Sequence, residues 1–248
     1  MAGTPFYLDW KFWSFVTSFF AIILSQVSPI RVWFRKAKLE IEAYSRVMIN
    51  HKVGNPNVQL HLILTNVGGR LIKVRSIVLS MKRGEEITFT VPAQNFFQLP
   101  TDKESVLMTP FKLKPGEDWG HIISFFNHFS RAEDKEYRQL ESNLRSDIYA
   151  KRAVLTDKEV DVPADQKYVD PLVSFFNKKF CWEPGEYEIE LQIEAEPVSA
   201  STRSKFRFTL FESDTQELRE IQKGYAYGAG IYYEPPRVTG LFLPLTKS

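Results

Sequence analysis

Four histidines at positions 51, 61, 121 and 128, one cysteine at 181 and alternating glutamates from Glu186 to Glu196 are the residues whose types could carry chemistry. A metal centre needs ligands that converge, and neither a close Cys/His pair nor a His-Glu-x-x-His run is present. His121 and His128 are separated by residues that look like a strand end, so no helical metal pair is implied. Cys181 lies between Phe180 and Trp182, a setting that favours a buried, inert thiol over a nucleophile. The glutamates alternate with apolar residues, and Lys205 and Arg207 follow on the next expected strand. That pattern predicts a solvated sheet face; paired acid/base carboxylates or calcium ligands would have to converge in a pocket. No Gly-x-Ser-x-Gly elbow, phosphate loop or dinucleotide fingerprint occurs, and Gly228-Ala229-Gly230 is too short to count. The expectation is a protein without enzyme activity, cofactor or metal.

The elements that carry these residues are mostly strands. Past Lys38 the dominant period is two: Leu39, Ile41 and Ala43, then Val58, Leu60, Leu62 and Leu64, each share a face. Ile72 and Val74 alternate in one phase and Ile77, Leu79 and Met81 in the other, which predicts a bulge near Ser76. Asn66-Val67-Gly68-Gly69, Arg83-Gly84-Glu85 and Lys114-Pro115-Gly116-Glu117 read as turns, and Trp119 to Phe126 as a strand. Tyr187, Ile189, Leu191, Ile193 and Ala195 face one way and pair in a hairpin with Phe206, Phe208 and Leu210. One insertion is helical: Ser130 and Glu133 form a capping-box pattern, and Tyr137, Leu140, Leu144 and Ile148 follow at helical spacing over 131–152. Its stripe is expected to cover an edge or end of the strands, or to face a partner. Residues 156–171 read as a loop, and Phe175, Phe176, Phe180 and Trp182 as core.

Short strands at this spacing point to an antiparallel β-sandwich. The chain resembles the immunoglobulin-like and fibronectin-type-III-like modules of membrane-anchored prokaryotic proteins over roughly residues 39–211. The resemblance lies in Leu64-Thr65-Asn66-Val67-Gly68-Gly69-Arg70 leading into Ile72 to Leu79, and in Trp182-Glu183-Pro184-Gly185-Glu186-Tyr187 entering a long strand. It implies a sandwich fold and a binding-module habit, with no particular partner. Unlike an antibody-type domain, the chain has no paired cysteines.

Ahead of the strands, Phe12 to Ile30 runs without a charge, a stretch roughly 28 Å long as a helix. Trp10 and Trp13 flank one end and Trp33 the other, and Arg31, Arg35, Lys36 and Lys38 follow it, against Lys11 beside Asp9 before it. Aromatic rings favour both interfaces, and the cation excess places the C-terminal flank in the cytoplasm. The expected organisation is an extracytoplasmic N-terminus (1–11), a transmembrane helix (12–30), a basic juxtamembrane segment (31–38), the sandwich (39–211) and a C-terminal helix or turn with a Tyr/Gly-rich tail (212–248). The competing readings are a signal peptide and a helix lying in the interface or buried against a partner. The former lacks a cationic start and a good cleavage site, the latter a charged face. The lone cysteine agrees with a reducing compartment.

Residues 1–38 hold five of the 32 basic residues and one of the 30 acidic ones, leaving 27 basic and 29 acidic residues in the body. A body so close to neutral argues against general nucleic-acid binding. The tail carries Tyr225, Tyr227, Tyr232 and Tyr233 among glycines, then Leu241, Phe242 and Leu243. Tyrosine offers contact area at low entropy cost, so these seven are the candidate partner-binding residues. The alternative is that the tail folds back over the sandwich. The leading functional expectation is a single-pass cell-membrane protein whose cytoplasmic sandwich binds other proteins, as an adaptor or complex subunit. Its expected partners are membrane lipids, proteins and further copies of itself. Two alternatives stand: a membrane effector whose helices assemble and perturb the bilayer on a signal, with Ser14, Thr17, Ser18 and Ser25 as a polar helix–helix face, and a small-ligand binder or enzyme, whose first sign would be a polar pocket at the sandwich end.

Overall fold

The computed structural model describes residues 10–26, 36–99, 101–102, 104–155, 161–233 and 240–247. Among them the chain is mainly β, with eleven strands and four α-helices. The elements run α1 (Trp10–Gln26), β1 (Leu39–Lys52), β2 (Asn55–Asn66), β3 (Ile72–Arg83), β4 (Glu86–Phe97), β5 (Val106–Leu107), β6 (Phe111–Leu113) and β7 (Asp118–Phe126). Next come α2 (Arg131–Ala153), α3 (Gln166–Lys179), β8 (Gly185–Glu196), β9 (Thr202–Leu210), α4 (Glu212–Glu220), β10 (Leu241–Pro244) and β11 (Thr246–Lys247). Neighbouring strands lie in the order β10-β1-β2-β7-β4-β3-β8-β9-β11, with β5 beside β4 and β6 beside β3, all pairs antiparallel.

This path folds over itself at two places. β4 pairs with β3 as far as Pro92 and with β7 from Ala93 onward, so one strand serves both halves of the sheet. Proline donates no ladder hydrogen bond and suits the point of exchange. At the other side β10 lies on β1 and β11 on β9, and only Leu245 separates them. Leu245 is buried, and its N–H donates to the Ser45 carbonyl at 2.8 Å. Period-two alternation then turns one face of every long strand inward. Val58, Leu60, Leu62 and Leu64 of β2 meet Ile189, Leu191 and Ile193 of β8 in a single buried cluster that also holds Trp182. Each such aliphatic side chain contributes about 1.5–3 kcal/mol on burial. The antiparallel, two-faced arrangement agrees with the expected sandwich.

The sequence breaks fall where the pattern put them. The β3–β8 register shifts between Val74 and Ser76, and Gly84 and Gly116 take φ of +60° and +79° in their turns. The turn at 66–69 uses one of its glycines for packing. Gly68 has no positive φ; a Cβ there would lie 2.5 Å from the Lys36 carbonyl oxygen, so glycine is needed for space. Asn66 fixes this crossover, its amide donating to the carbonyls of Arg70 and Leu113 at 2.8 and 2.9 Å.

A second buried cluster lies beyond the β1–β2 hairpin. It joins Tyr137, Leu144 and Ile148 of α2, Val169, Leu172, Phe175 and Phe176 of α3, and Tyr225, Ile231 and Val53. The capping box at Ser130/Glu133 starts α2 as expected, and the helix ends at Ala153, one residue past the expected 152. The expected loop over 156–171 is corrected for its last part: α3 begins at Gln166, because Val169, Leu172, Phe175 and Phe176 bury one helical face despite Pro171. The N-terminal expectation is corrected in its bounds. α1 covers Trp10–Gln26, starting before the expected 12, while 27–30 lie outside the described residues. Among the described residues no helix is long and apolar enough to cross a membrane. The 17 residues of α1 reach about 26 Å, short of a typical hydrocarbon core.

Candidate functional site

The first candidate surface is α1 itself. Lys11 is its one charged residue, and every side chain described on it is exposed except half-buried Val16. Trp13 and Phe20 fall on one side of the helix and Phe15 and Ile22 on the opposite side, each more than half exposed, while Ser14 and Ser18 share a narrower polar strip. The Thr17 hydroxyl donates to the carbonyls of Trp13 and Ser14 at 2.9 and 3.1 Å, which satisfies it within the helix. Of the expected interface residues, Trp10 and Trp13 lie on α1, and Arg31, Trp33 and Arg35 fall outside the described residues. Lys36 and Lys38 precede β1; Lys38 pairs with Glu40 at 2.8 Å.

The seven tail candidates separate into two groups. Tyr225 is buried against Phe176 in the second cluster, and Leu241 and Leu243 are buried in the main core. These three serve packing, which corrects their expected availability to a partner. The 3-10 segment Ile221–Tyr227 and the turns after it lay the tyrosines back on α2: Tyr137 donates to the Ile231 carbonyl at 2.8 Å, and Arg145 stacks over Tyr232. Gly228, with φ of +85°, admits the Tyr232 ring, which a Cβ would meet at 2.2 Å. Tyr227, Tyr233 and Phe242 keep exposed surface. Phe242, on the outer face of β10, lines a groove of about 470 Å³ together with Tyr44, Arg46, His61, Phe97, Asp102 and Ile122.

The residues with chemical potential are satisfied or dispersed. His51 is buried; its Nε2 donates to the Leu218 carbonyl at 2.9 Å and its Nδ1 accepts from the Gly54 N–H at 3.2 Å. Burial lowers its pKa, and the Leu218 hydrogen bond opposes this less strongly. His61 lies beside Tyr44, His121 between Phe96 and Trp119, and His128 against Phe126. Among the described residues no three His, Cys, Asp or Glu are placed to hold a metal. Burial pushes the Cys181 thiol up to about 12, well away from a nucleophile. The glutamate stripe is the outer face of β8. Lys205 donates to Glu188 at 2.7 Å and holds it below the usual carboxylate range, and Lys82 and Arg203 flank Glu190 at 3.5 and 3.4 Å.

One further site is built only in three dimensions. The hairpin end of β1 and β2, the loop after β7 and the first two turns of α2 line an open cavity of about 650 Å³. Arg131, Asp134 and Arg138 line its helical wall, and Lys52, Asn55, Asn57 and Asn127 much of the rest, with Phe126 and Phe129 as apolar surface. The i, i+3, i+7 spacing of the three charged residues along α2 was the available sequence signal, since it places them on one helix face. Nothing local shows that this face meets the hairpin end. Compared with known proteins, the chain matches no family model, no curated protein and no solved structure.

Proposed function

We propose that the protein is a membrane-anchored protein-interaction module, in which lipid covers α1 and the β body recognises a protein partner at the bilayer surface. The observation that carries this reading is the exposure of large aromatic and aliphatic side chains on opposite sides of α1. Large apolar side chains exposed on opposite sides of a helix are unfavourable in water and need lipid or protein around them. At 17 residues it matches a bilayer that thins locally. The cation excess after the apolar run supports an N-terminus outside and a body on the cytoplasmic side. For recognition, the groove around Phe242, Tyr44 and Phe97 offers aromatic surface of the kind enriched at interfaces.

The test is alkaline carbonate extraction of membranes bearing the full chain, followed by crosslinking. Retention in the pellet, lost on Phe20→Arg with Ile22→Arg, together with a crosslinked protein partner, is the expected result. Release of the unaltered chain into the carbonate supernatant would remove the anchor. A chain that is retained but crosslinks to nothing would remove the interaction role.

A further inference from the structure

The cavity between the hairpin end and α2 carries a chemistry of its own, and it is formed by the body alone, however α1 is covered. Its lining contains Arg131 and Arg138 against one carboxylate, Asp134, with Lys52 at hand but donating to the Ile231 carbonyl at 3.2 Å. Asp134 is engaged: the Arg138 Nε donates to it at 2.7 Å. This orients the guanidinium through one edge and leaves its terminal nitrogens with no hydrogen bond to the described residues. Arg131 makes no ion pair among the described residues. Glu133, the next carboxylate on the helix, is held elsewhere by Lys179 and by the Ser130 N–H.

The amide residues present the opposite character. Asn55 donates its amide to the Asn127 carbonyl at 2.7 Å, and Asn127 donates its own to the Thr90 carbonyl at 3.0 Å. Their side-chain oxygens are thus the atoms left to accept. Phe126, Phe129 and Pro56 add apolar surface suited to a short carbon skeleton.

From cationic donors, amide acceptors and this apolar surface, we infer that the cavity binds a phosphate monoester or diester of a small polyol. The phosphate sits against Arg131 and Arg138, and the hydroxyls donate to Asn55 and Asn127. Arginine forks match phosphate oxygens in paired hydrogen bonds, which a monoester and a diester both offer. The volume lies within the range of small-ligand sites. Glycerol phosphate, free in solution or as the headgroup of phosphatidylglycerol, is the simplest molecule of this chemistry.

The experiment is calorimetric titration of sn-glycerol 3-phosphate into the full chain in non-ionic detergent with phosphatidylcholine. Saturable binding is expected, weakened at least about tenfold by Arg131→Gln and by Arg138→Gln. Lys205→Gln on the opposite sheet face should leave it unchanged. Both arginine side chains are exposed, so unaltered melting temperatures without ligand will show that the variants fold. Repeating the titration with phosphatidylglycerol in the micelle separates the sources. A headgroup in the cavity lowers the apparent affinity for the free ester in the unaltered chain, whereas a free ligand gives the same curve in both micelles. Either result keeps the site. Absence of saturable heat up to about 10 mM, or equal binding by the unaltered chain and both arginine variants, overturns it.

Discussion

The Nε2 of His51 donates to the carbonyl oxygen of Leu218 at 2.9 Å, a contact between the end of β1 and the last turns of α4. Because the partner at Nε2 is an acceptor and the partner at Nδ1 is the Gly54 N–H, the ring is the neutral Nε2-protonated tautomer. Leu218 belongs to the main core, while the Phe176 ring, 5.1 Å from the imidazole, belongs to the second. A single neutral imidazole therefore ties the two buried clusters together.

This junction makes stability depend on pH. The folded pKa of His51 lies below its ordinary value because burial disfavours the charged ring. The unfolded chain then binds the proton more readily, so the contribution is fully present above about pH 6.5 and is lost as pH falls toward the folded pKa. Urea unfolding should give a lower midpoint at pH 5 than at pH 7.5. His51→Gln should lower the midpoint at both values, by about 1–3 kcal/mol at pH 7.5, and flatten the difference between them. An unchanged pH difference in His51→Gln would assign the acid sensitivity to other groups.

Two glycines of positive φ should behave differently when replaced by alanine. Gly54, at +84°, sits where a Cβ would lie 2.4 Å from the Phe176 carbonyl oxygen and 2.9 Å from the Lys179 Cβ. Gly84, at +60°, has nothing within 4 Å. Gly84→Ala should cost only the conformational term, about 1 kcal/mol, whereas Gly54→Ala adds a backbone clash and should cost 3 kcal/mol or more. Thermal unfolding of both variants, each read against the unaltered chain, checks the order.

Glu133 links three elements, closing the Ser130 cap and pairing with Lys179 of α3. The Lys179 ammonium, with the Ser130 cap, holds it well below the usual range, at about 2. Its contribution is present above the unfolded value near 4.5 and is lost as pH falls from there toward about 2. Both partners are about a third exposed, so screening reduces the pair. Glu133→Gln keeps an acceptor for the cap and should cost under about 1 kcal/mol, while Glu133→Ala removes both roles and should cost about 1–2 kcal/mol. Denaturant midpoints in low and high salt separate the two, since only the ion pair responds to salt.

Phe242 and Leu243 are adjacent on β10, yet the first is 59% exposed and the second 7%. Leu243→Asp would bury a charge without a partner and should destabilise the chain by at least about 3 kcal/mol. Phe242→Asp should change the melting temperature little and abolish capture of the protein partner in the crosslinking assay. Retained capture by a folded Phe242→Asp chain would take the groove out of the interaction.

Much of the fold was legible before any coordinates. Period-two alternation specified the buried faces of β2 and β8, the phase change located the irregularity at Ser76, and the capping box set the start of α2. These signals are local, because side-chain direction and cap chemistry depend on residues a few positions apart. α3 was less legible since Pro171 interrupts a helical pattern. The tail was legible in composition alone: tyrosines and leucines that suit an interface suit a core equally well, and only contact with α2, α3 and β1 separates Tyr225, Leu241 and Leu243 from Phe242.

The sequence by itself determined the strand faces, the charge asymmetry around the apolar N-terminal run, and the pairing of acidic β8 with basic β9. Each is written in spacing and sign along a short stretch. Tertiary structure alone decided that β4 and the β10–β11 segment exchange sheet halves, that His51 bridges two cores, and that a hairpin end meets Arg131 and Arg138. Those relationships join residues distant in sequence, and burial of the whole apolar surface selects them at once, so no local pattern encodes them.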